Sequence, residues 1–406
     1  MTRFSDATRQ QKLVVLIGAA VLLCILPFVV QMAGNAWVRI IDIALLYVLL
    51  ALGLNIVVGY AGLLDLGYVA FYAVGAYMLG LLASPQLTDT FVSFKDAFEN
   101  GLHTPWWVVI PLGALVAGGA GVLLGAPTLK LRGDYLAIVT LGFGEIVRVF
   151  LNNLDAPVNI TNGPKGITGI DEISIFGVSL GKTQHFFGLE WPKVTNYYFL
   201  FLILVVFAVV ICYRLERSRI GRAWMAIRED EVAAKAMGIN TRNLKLLAFG
   251  MGATFGGVSG VMFASFQGFI SPESFSLSES VMIVAMVVLG GIGHLPGVIV
   301  GSLLLAALPE VLRYVAGPLQ QMTDGRLDAA ILRQLLVALA MIGIMLARPR
   351  GLWPSPEHGR IGERPPPQAT ATPGAIDGEL PRTIHATHLP PARQIPPAAT
   401  HISPSE

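Results

Sequence analysis

Charge is the scarcest thing in this chain. Only 13% of its 406 residues are Asp, Glu, Lys or Arg, and 54% are hydrophobic, whereas an ordinary soluble protein is about 25% charged. With a mean hydropathy of +0.65, a soluble globular domain is excluded. Cysteine is nearly absent too: Cys24 and Cys212 lie far apart inside apolar runs, which excludes a disulfide framework and a cysteine metal site. His103, His185 and His294 are scattered without metal-ligand spacing, and no nucleophile stands with a base and an orienting group, so a catalytic reading has nothing to rest on. A phosphate-binding loop is also missing. Gly177 to Thr183 reads GVSLGKT, with three residues between its glycines where the Walker A pattern needs four. A formal net charge of +2 gives no reason to expect a nucleic-acid partner.

What the chain does have is apolar runs, and crossing a bilayer takes about 20 such residues. Ten candidates run from Leu13 to Met32, Val38 to Val58, Gly67 to Leu82, Trp107 to Leu129, Tyr135 to Asn152, Tyr197 to Tyr213, Leu244 to Gln267, Ser280 to Ile292, Pro296 to Tyr314 and Ala330 to Ala347. The expected fold class is therefore all-α: a polytopic membrane protein of about ten transmembrane helices, with broken or re-entrant Gly-rich elements. The eighth run, 280–292, is short enough to be one of those elements. The run from Leu13 is longer than the core of a secretory signal and no A-x-A site follows, so it reads as an uncleaved first span.

Lys and Arg in short loops stay cytoplasmic. Arg3, Arg9 and Lys12, then Lys130 and Arg132, then eight basic residues from Arg214 to Lys245, then Arg348 and Arg350 all fall on one side if there are ten spans. Both termini are then cytoplasmic, and the loops at Asp89 to Glu99 and Asp155 to Lys193 face outward. The second of these contains TNGPKGITGI from Thr161, dense in turn residues. It reads equally as a docking surface for an extracytoplasmic protein or as a plain connection. The expected division is a cytoplasmic N-terminus over 1–12, a transmembrane domain over 13–353 and a disordered Pro-rich cytoplasmic tail over 354–406, which holds 12 of the 25 prolines.

Glycines interrupt the spans in two places, at Gly53, Gly59, Gly62, Gly67 and Gly75, and again at Gly290, Gly291, Gly293, Gly297 and Gly301. Broken backbone inside a membrane is tolerated only against protein or a water-filled cavity. The candidate lining of a solute path is therefore Asn55, Gly59, Tyr60, Gly62, Asp65 and Tyr68, with Thr140 and Glu145 from the fifth span. The plainer reading is that small residues let helices approach closely. Asp65 is costly at bilayer depth, by about 2.5–3.5 kcal/mol on insertion scales, so it sits near the cytoplasmic edge or has a partner. Glu145 and Arg148 are three apart on one helical face and neutralise each other; a proton relay would need more ionisable groups than this chain offers.

One island concentrates the charge, YRLERSRIGRAWMAIREDEVAAKAMGINTRNLK from Tyr213. Arg228, Glu229, Asp230 and Glu231 are consecutive, and no helix orientation hides all four in lipid. A short helix is expected, with Trp224, Arg228, Glu231 and Lys235 as one stripe and a Glu231–Lys235 pair in the favoured order. Ala226, Ile227, Ala233, Ala234 and Met237 make a second face around Asp230, and Gly238 ends the helix. The loop from 214 to 243 reads as a solvated linker or as a docking lever for a cytosolic partner.

At GDYLAIVTLGFGEIVR from Gly133, GRAWMAIREDEVAAKAMGI from Gly221 and QGFISPESFSLSESVMIVAMVVLGGIG from Gln267, the chain closely resembles the LivM-type permease of branched-chain amino-acid ABC importers. The resemblance covers roughly Asp42 to Trp353. It implies a permease subunit in the bacterial inner membrane, not an enzyme and without a cofactor of its own. The implied partners are a second, LivH-type permease, two cytosolic ATPases that bind the ATP, a periplasmic solute-binding protein and membrane lipid. ABC importer permeases share a coupling motif, E-A-A followed after three residues by Gly. Ala233, Ala234 and Gly238 match it, while Val232 stands where the acid is expected and the acid is Glu231. The implied ATPase-coupling residues are Trp224, Arg228, Asp230, Glu231, Ala233, Ala234 and Gly238. Two other functions stay open: an importer of the same superfamily carrying urea or short amides, and an ion-coupled secondary transporter working alone.

Overall fold

The computed structural model describes residues 9–91, 102–128, 131, 133–175, 178–186, 189–322, 329–348 and 351–353. The expectations that rest on Arg3, Lys130, Arg132, Arg350, most of the loop from Asp89 to Glu99 and the tail over 354–406 lie outside the described residues. Each of the ten apolar runs carries a helix, because a helix alone satisfies every backbone group within one segment in lipid. In chain order the α-helices among the described residues are α1 (Arg9–Gln31), α2 (Asn35–Asn55), α3 (Val69–Leu82), a short α4 (Gln86–Thr90), α5 (Trp106–Thr128), α6 (Asp134–Asn153), α7 (Lys193–Glu216), α8 (Arg219–Glu229), α9 (Glu231–Ala236), α10 (Thr241–Gln267), α11 (Leu277–Gly290), α12 (Leu295–Met322) and α13 (Ala329–Ala347), with α4, α8 and α9 lying outside the ten runs. Among the described residues, six stretches are long and apolar enough to cross a membrane by themselves, and Ala20–Gln31, Val69–Leu82 and Val337–Ala347 are shorter apolar helices. Arg9 to Lys12, read from the sequence as part of the N-terminus, are helical and belong to α1.

Helix α10 is the centre of the bundle, and glycine makes it so. A Cβ on Gly257 would lie 2.6 Å from the Ala117 Cβ of α5, and one on Gly75 of α3 would lie 2.0 Å from the Gly257 carbonyl oxygen. Bare backbones therefore touch along two faces of α10, the close approach that small residues permit between membrane helices. On the far side, a Cβ on Gly53 of α2 would meet the Phe255 Cβ at 2.5 Å.

Two of the apolar segments are broken, as their glycines lead one to expect. Helix α2 ends in a π-helical turn, Ile56–Tyr60, and the chain then runs without regular structure from Ala61 to Gly67 before α3 begins. Helix α3 has 14 residues, about 21 Å at 1.5 Å per residue, short of a hydrocarbon core of about 30 Å. Helix α11 also has 14 and is lengthened by the 3-10 turn Pro272–Phe275 before it. The connection between α11 and α12 turns through Gly291 and Gly293, both at positive φ.

At the end of the bundle away from α8 and α9, the segment from Asp155 to Lys193 is built rather than loose. Its first strand, β1 (Ile167–Thr168), pairs antiparallel with β6 (Phe269–Ile270) beyond α10. Between them lie β2 (Ser174–Ile175), β3 (Val178–Ser179), β4 (Gln184–Phe186) and β5 (Leu189–Trp191), paired as β2 with β3 and β4 with β5. The turn from Thr161 is anchored by the buried Thr161 hydroxyl, which donates to the Leu151 carbonyl at 2.7 Å.

Candidate functional site

The polar island folds into two helices where the sequence suggests one. Asp230 is extended, at φ −154° and ψ 109°, and ends α8 while starting α9. Its carboxylate accepts from the amides of Val232 at 2.8 Å and Ala233 at 3.1 Å, a local bond that competes with helix continuation. This break re-aims the two faces expected on a single helix. Trp224 and Ile227 are buried on α8 and Ala234 on α9, while Val232, Ala233, Lys235 and Met237 are exposed. Ala226 is half-buried. The expected Glu231–Lys235 pair does not form; Glu231 bonds instead to Lys245 of α10 at 2.7 Å, whose ammonium is nearly buried and needs a counter-charge. Gly238 ends α9 as expected, at φ +84°. Its amide donates to the Lys235 carbonyl and that of Ile239 to the Ala234 carbonyl, each at 3.1 Å, the pattern of a left-handed C-terminal cap.

The two short helices are fastened to the membrane domain at two points. Trp224 is completely buried, and its indole N–H donates to the Leu244 carbonyl at 2.7 Å. Arg228 reaches inward, and its Nη1 donates to the Gly59 carbonyl. The Arg228 side chain lies so close that a Cβ on Gly62 would sit 2.8 Å from its Cγ, and one on Gly293 would sit 2.7 Å from its Nη1. The Gly293 amide in turn donates to the Asn55 Oδ1 at 3.0 Å. Arg228 thus fills a junction where both broken segments meet, and a guanidinium with several planar donors suits such a place. Beside it, the amides of Leu352 and Trp353 donate to the carbonyls of Leu289 at 2.8 Å and Gly290 at 3.3 Å, so the chain after α13 closes the second break from below.

Deeper in the bundle the first break is held by side chains. The Leu66 amide donates to the Thr140 Oγ1 at 3.0 Å, the Leu66 carbonyl accepts from the Ser280 hydroxyl, and the Asp65 Oδ1 accepts from the Gly67 amide at 2.9 Å. The Tyr68 hydroxyl donates to the Gly252 carbonyl at 2.9 Å. Asp65 is 1% exposed and packed inside the bundle, where the Gly67 amide is its partner. Asn55, Tyr60, Tyr68 and Thr140 are buried as well, and in this conformation they face protein rather than an open passage. Glu145 stands apart from these residues, bound to Arg148 at 3.0 Å; Arg148 also approaches Glu273 at 3.6 Å.

Sequence reasoning missed one cavity. Tyr47, Tyr72, Phe201, Phe263, Phe266 and Glu279 line a space of about 260 Å³ toward the opposite end from Arg228. The Tyr47 hydroxyl donates to the Glu279 Oε2 at 2.8 Å. The only signal was Glu279 itself, a lone carboxylate at the edge of an apolar run.

The fold is thus a helical bundle in which a pair of short polar helices meets two broken apolar segments. The family model for the branched-chain amino acid transport system permease component matches residues 37–345, and the chain belongs to that family. It is 40% identical over 86% of its length to the high-affinity branched-chain amino acid transport system permease protein LivM of Escherichia coli, covering 76% of that protein. It is 26% identical over 64% of its length to the corresponding LivH protein of Salmonella typhimurium, covering 79% of it, and 24% identical over 78% to BraD of Pseudomonas aeruginosa, covering 94%. No solved structure matches the chain. The protein is thus a multi-pass membrane permease subunit of the ABC-import type.

Proposed function

We propose that this chain forms half of a translocation path for leucine, isoleucine and valine across the bacterial inner membrane, moved by ATPases that dock on α8 and α9. The observation that carries this is the Arg228 junction: a displacement of the lever acts at once on the Gly59 carbonyl and on the Gly293 turn, the two places where the membrane segments are broken. The exposed Val232, Ala233 and Met237 offer a small, partly apolar ridge for the ATPase, and the cap at Gly238 fixes its edge. On this reading ATP binds on the partner subunits. A LivH-type second permease completes the path, and a periplasmic solute-binding protein delivers cargo to the end bearing β1 to β6. The side with α8, α9 and Arg348 is cytoplasmic, as the basic residues require, and both termini lie there.

Reconstitution in vesicles tests this. With the partner subunits and ATP present, replacing Gly238 or Ala234 with a bulky residue should abolish uptake and leave the protein in the membrane; undiminished ATP-dependent uptake would remove the coupling role. Uptake by the single chain under an ion gradient would favour a secondary transporter. Binding of labelled leucine, isoleucine, valine and urea to the partner solute-binding protein separates the branched-chain reading from the urea reading.

A further inference from the structure

The cavity lined by Tyr47, Tyr72, Phe263 and Glu279 has the chemistry of a small cationic group's binding site, and the permease reading did not require it. Its wall is aromatic: Tyr72 packs on Phe263 and Phe275 with ring centroids 5.3 and 5.2 Å apart, and Phe201 packs on Phe266 at 5.6 Å. Into this wall projects one half-buried carboxylate, Glu279, held by the Tyr47 hydroxyl at 2.8 Å. Among the described residues Glu279 forms no ion pair. A carboxylate withdrawn from water is costly unless something positive meets it, and aromatic faces attract the same kind of group.

The rim supplies the complementary charge. Arg39, Ile43 and Tyr47 are spaced four apart and share one face of α2. Arg39 is exposed; its Nη2 donates at 2.6 Å to the side chain of Gln267, which also lines the cavity, and its guanidinium lies 5.8 Å from the Phe266 ring centroid. Arg39 is likewise without an ion pair among the described residues. A cavity with a carboxylate inside and a guanidinium at its rim, neither in an ion pair among the described residues, and aromatic and aliphatic walls between them is matched to a zwitterion with an apolar side chain.

Resting on the proposed import function, we infer that this cavity is a transit site for an aliphatic α-amino acid within this one chain, its ammonium group held by Glu279 and Tyr47 and its side chain by the aromatic wall. Arg39 meets the carboxylate at entry. About 260 Å³ accommodates one such molecule. The site lies toward the end where cargo enters, and Tyr72 and Glu279 stand on the two short helices α3 and α11, each next to a break. Binding there and opening at Arg228 thus act on the same two elements.

The test is protection from a thiol reagent in the full importer. Cys24→Ser removes the exposed native cysteine, and Ser274→Cys places a thiol on the cavity wall. Leucine should slow maleimide labelling of that thiol at least fivefold. 4-Methylpentanoate, which has the same side chain and carboxylate without the ammonium, should not. Adding Glu279→Gln, which keeps an acceptor for Tyr47, should abolish protection and lower leucine uptake at least tenfold, with ATP hydrolysis retained. An importer that takes up leucine normally but shows no leucine protection, or equal protection by 4-methylpentanoate, overturns the transit site and leaves the import function standing. Unchanged uptake and protection in the Glu279→Gln variant does the same. A wild-type complex that fails to import leucine at all strikes the import function instead.

Discussion

The two broken segments look alike in sequence, yet they are held in different ways. The first, 56–67, is gripped mostly by the interior: Thr140, Ser280 and Asp65 satisfy backbone groups at its α3 end and Gly67 lies against the backbone of α6, while at its other end the Gly59 carbonyl accepts from Arg228. The second, 290–294, is gripped from the end of the bundle by Asn55, by Arg228 and by the Leu352–Trp353 peptide. The stretch of the first break tied to the core is anchored independently of α8 and α9, while its Gly59 end and the second break both meet α8 through Arg228. Unsatisfied backbone in a membrane is expensive, so each break survives only as long as its own partners do.

Substitutions should separate the two in graded fashion. Gly67→Val is expected to have the largest effect, because its Cβ would fall 2.0 Å from the Thr140 carbonyl oxygen; backbone cannot yield there, and yield in the membrane fraction should collapse. Recovery of normal amounts of folded protein would mean that the first break is not core-held. Trp224→Ala should cost about 3–5 kcal/mol of local stability, as truncations of a buried Trp do, read as protease cleavage appearing between 217 and 240 with the bundle intact.

Arg228→Ala should be milder for stability and severe for transport. The fold persists, ATP hydrolysis continues, and uptake falls at least tenfold because α8 no longer binds the Gly59 carbonyl beside the Gly293 turn; a charge-assisted bond of this kind is worth about 1.5–3 kcal/mol. Equal loss of hydrolysis and uptake would place Arg228 in docking rather than transmission. The smallest and sharpest contrast is Thr140→Val against Asn55→Leu. The first leaves the Leu66 amide unsatisfied inside the bundle and should lower thermal stability by about 1–3 kcal/mol; the second exposes the Gly293 amide where the chain is less enclosed, and should change transport more than stability. A reversed pattern in thermal-shift and uptake measurements would exchange the roles of the two breaks.

Much of the fold was legible because one physical quantity decides it. A run of apolar residues of membrane length has no alternative to a helix, and each of the ten runs carries one, with ends close to those read from sequence except for α12, which continues past Tyr314 to Met322. The lever was legible for the opposite reason, since consecutive charges cannot be hidden. Its break at Asp230 was not, because whether a carboxylate caps a new helix or rides on a continuing one depends on where the flanking segments are anchored. Lys245 as the partner of Glu231 and the Tyr47–Glu279 contact, 232 residues apart in the chain, were invisible to helical spacing. Local periodicity relates only neighbours within two turns.

By itself the amino-acid order determined that this protein lives in a bilayer, how its helices are spaced along the chain and which stretch must face water, since those follow from transfer free energies summed over short windows. Tertiary structure alone decided that one arginine would hold two distant breaks together, that Asp65 would be enclosed, and that a lone carboxylate would end up in an aromatic cavity. Those are pairings between remote segments, and only the packing of glycine-lined helices brings such segments within reach of one another.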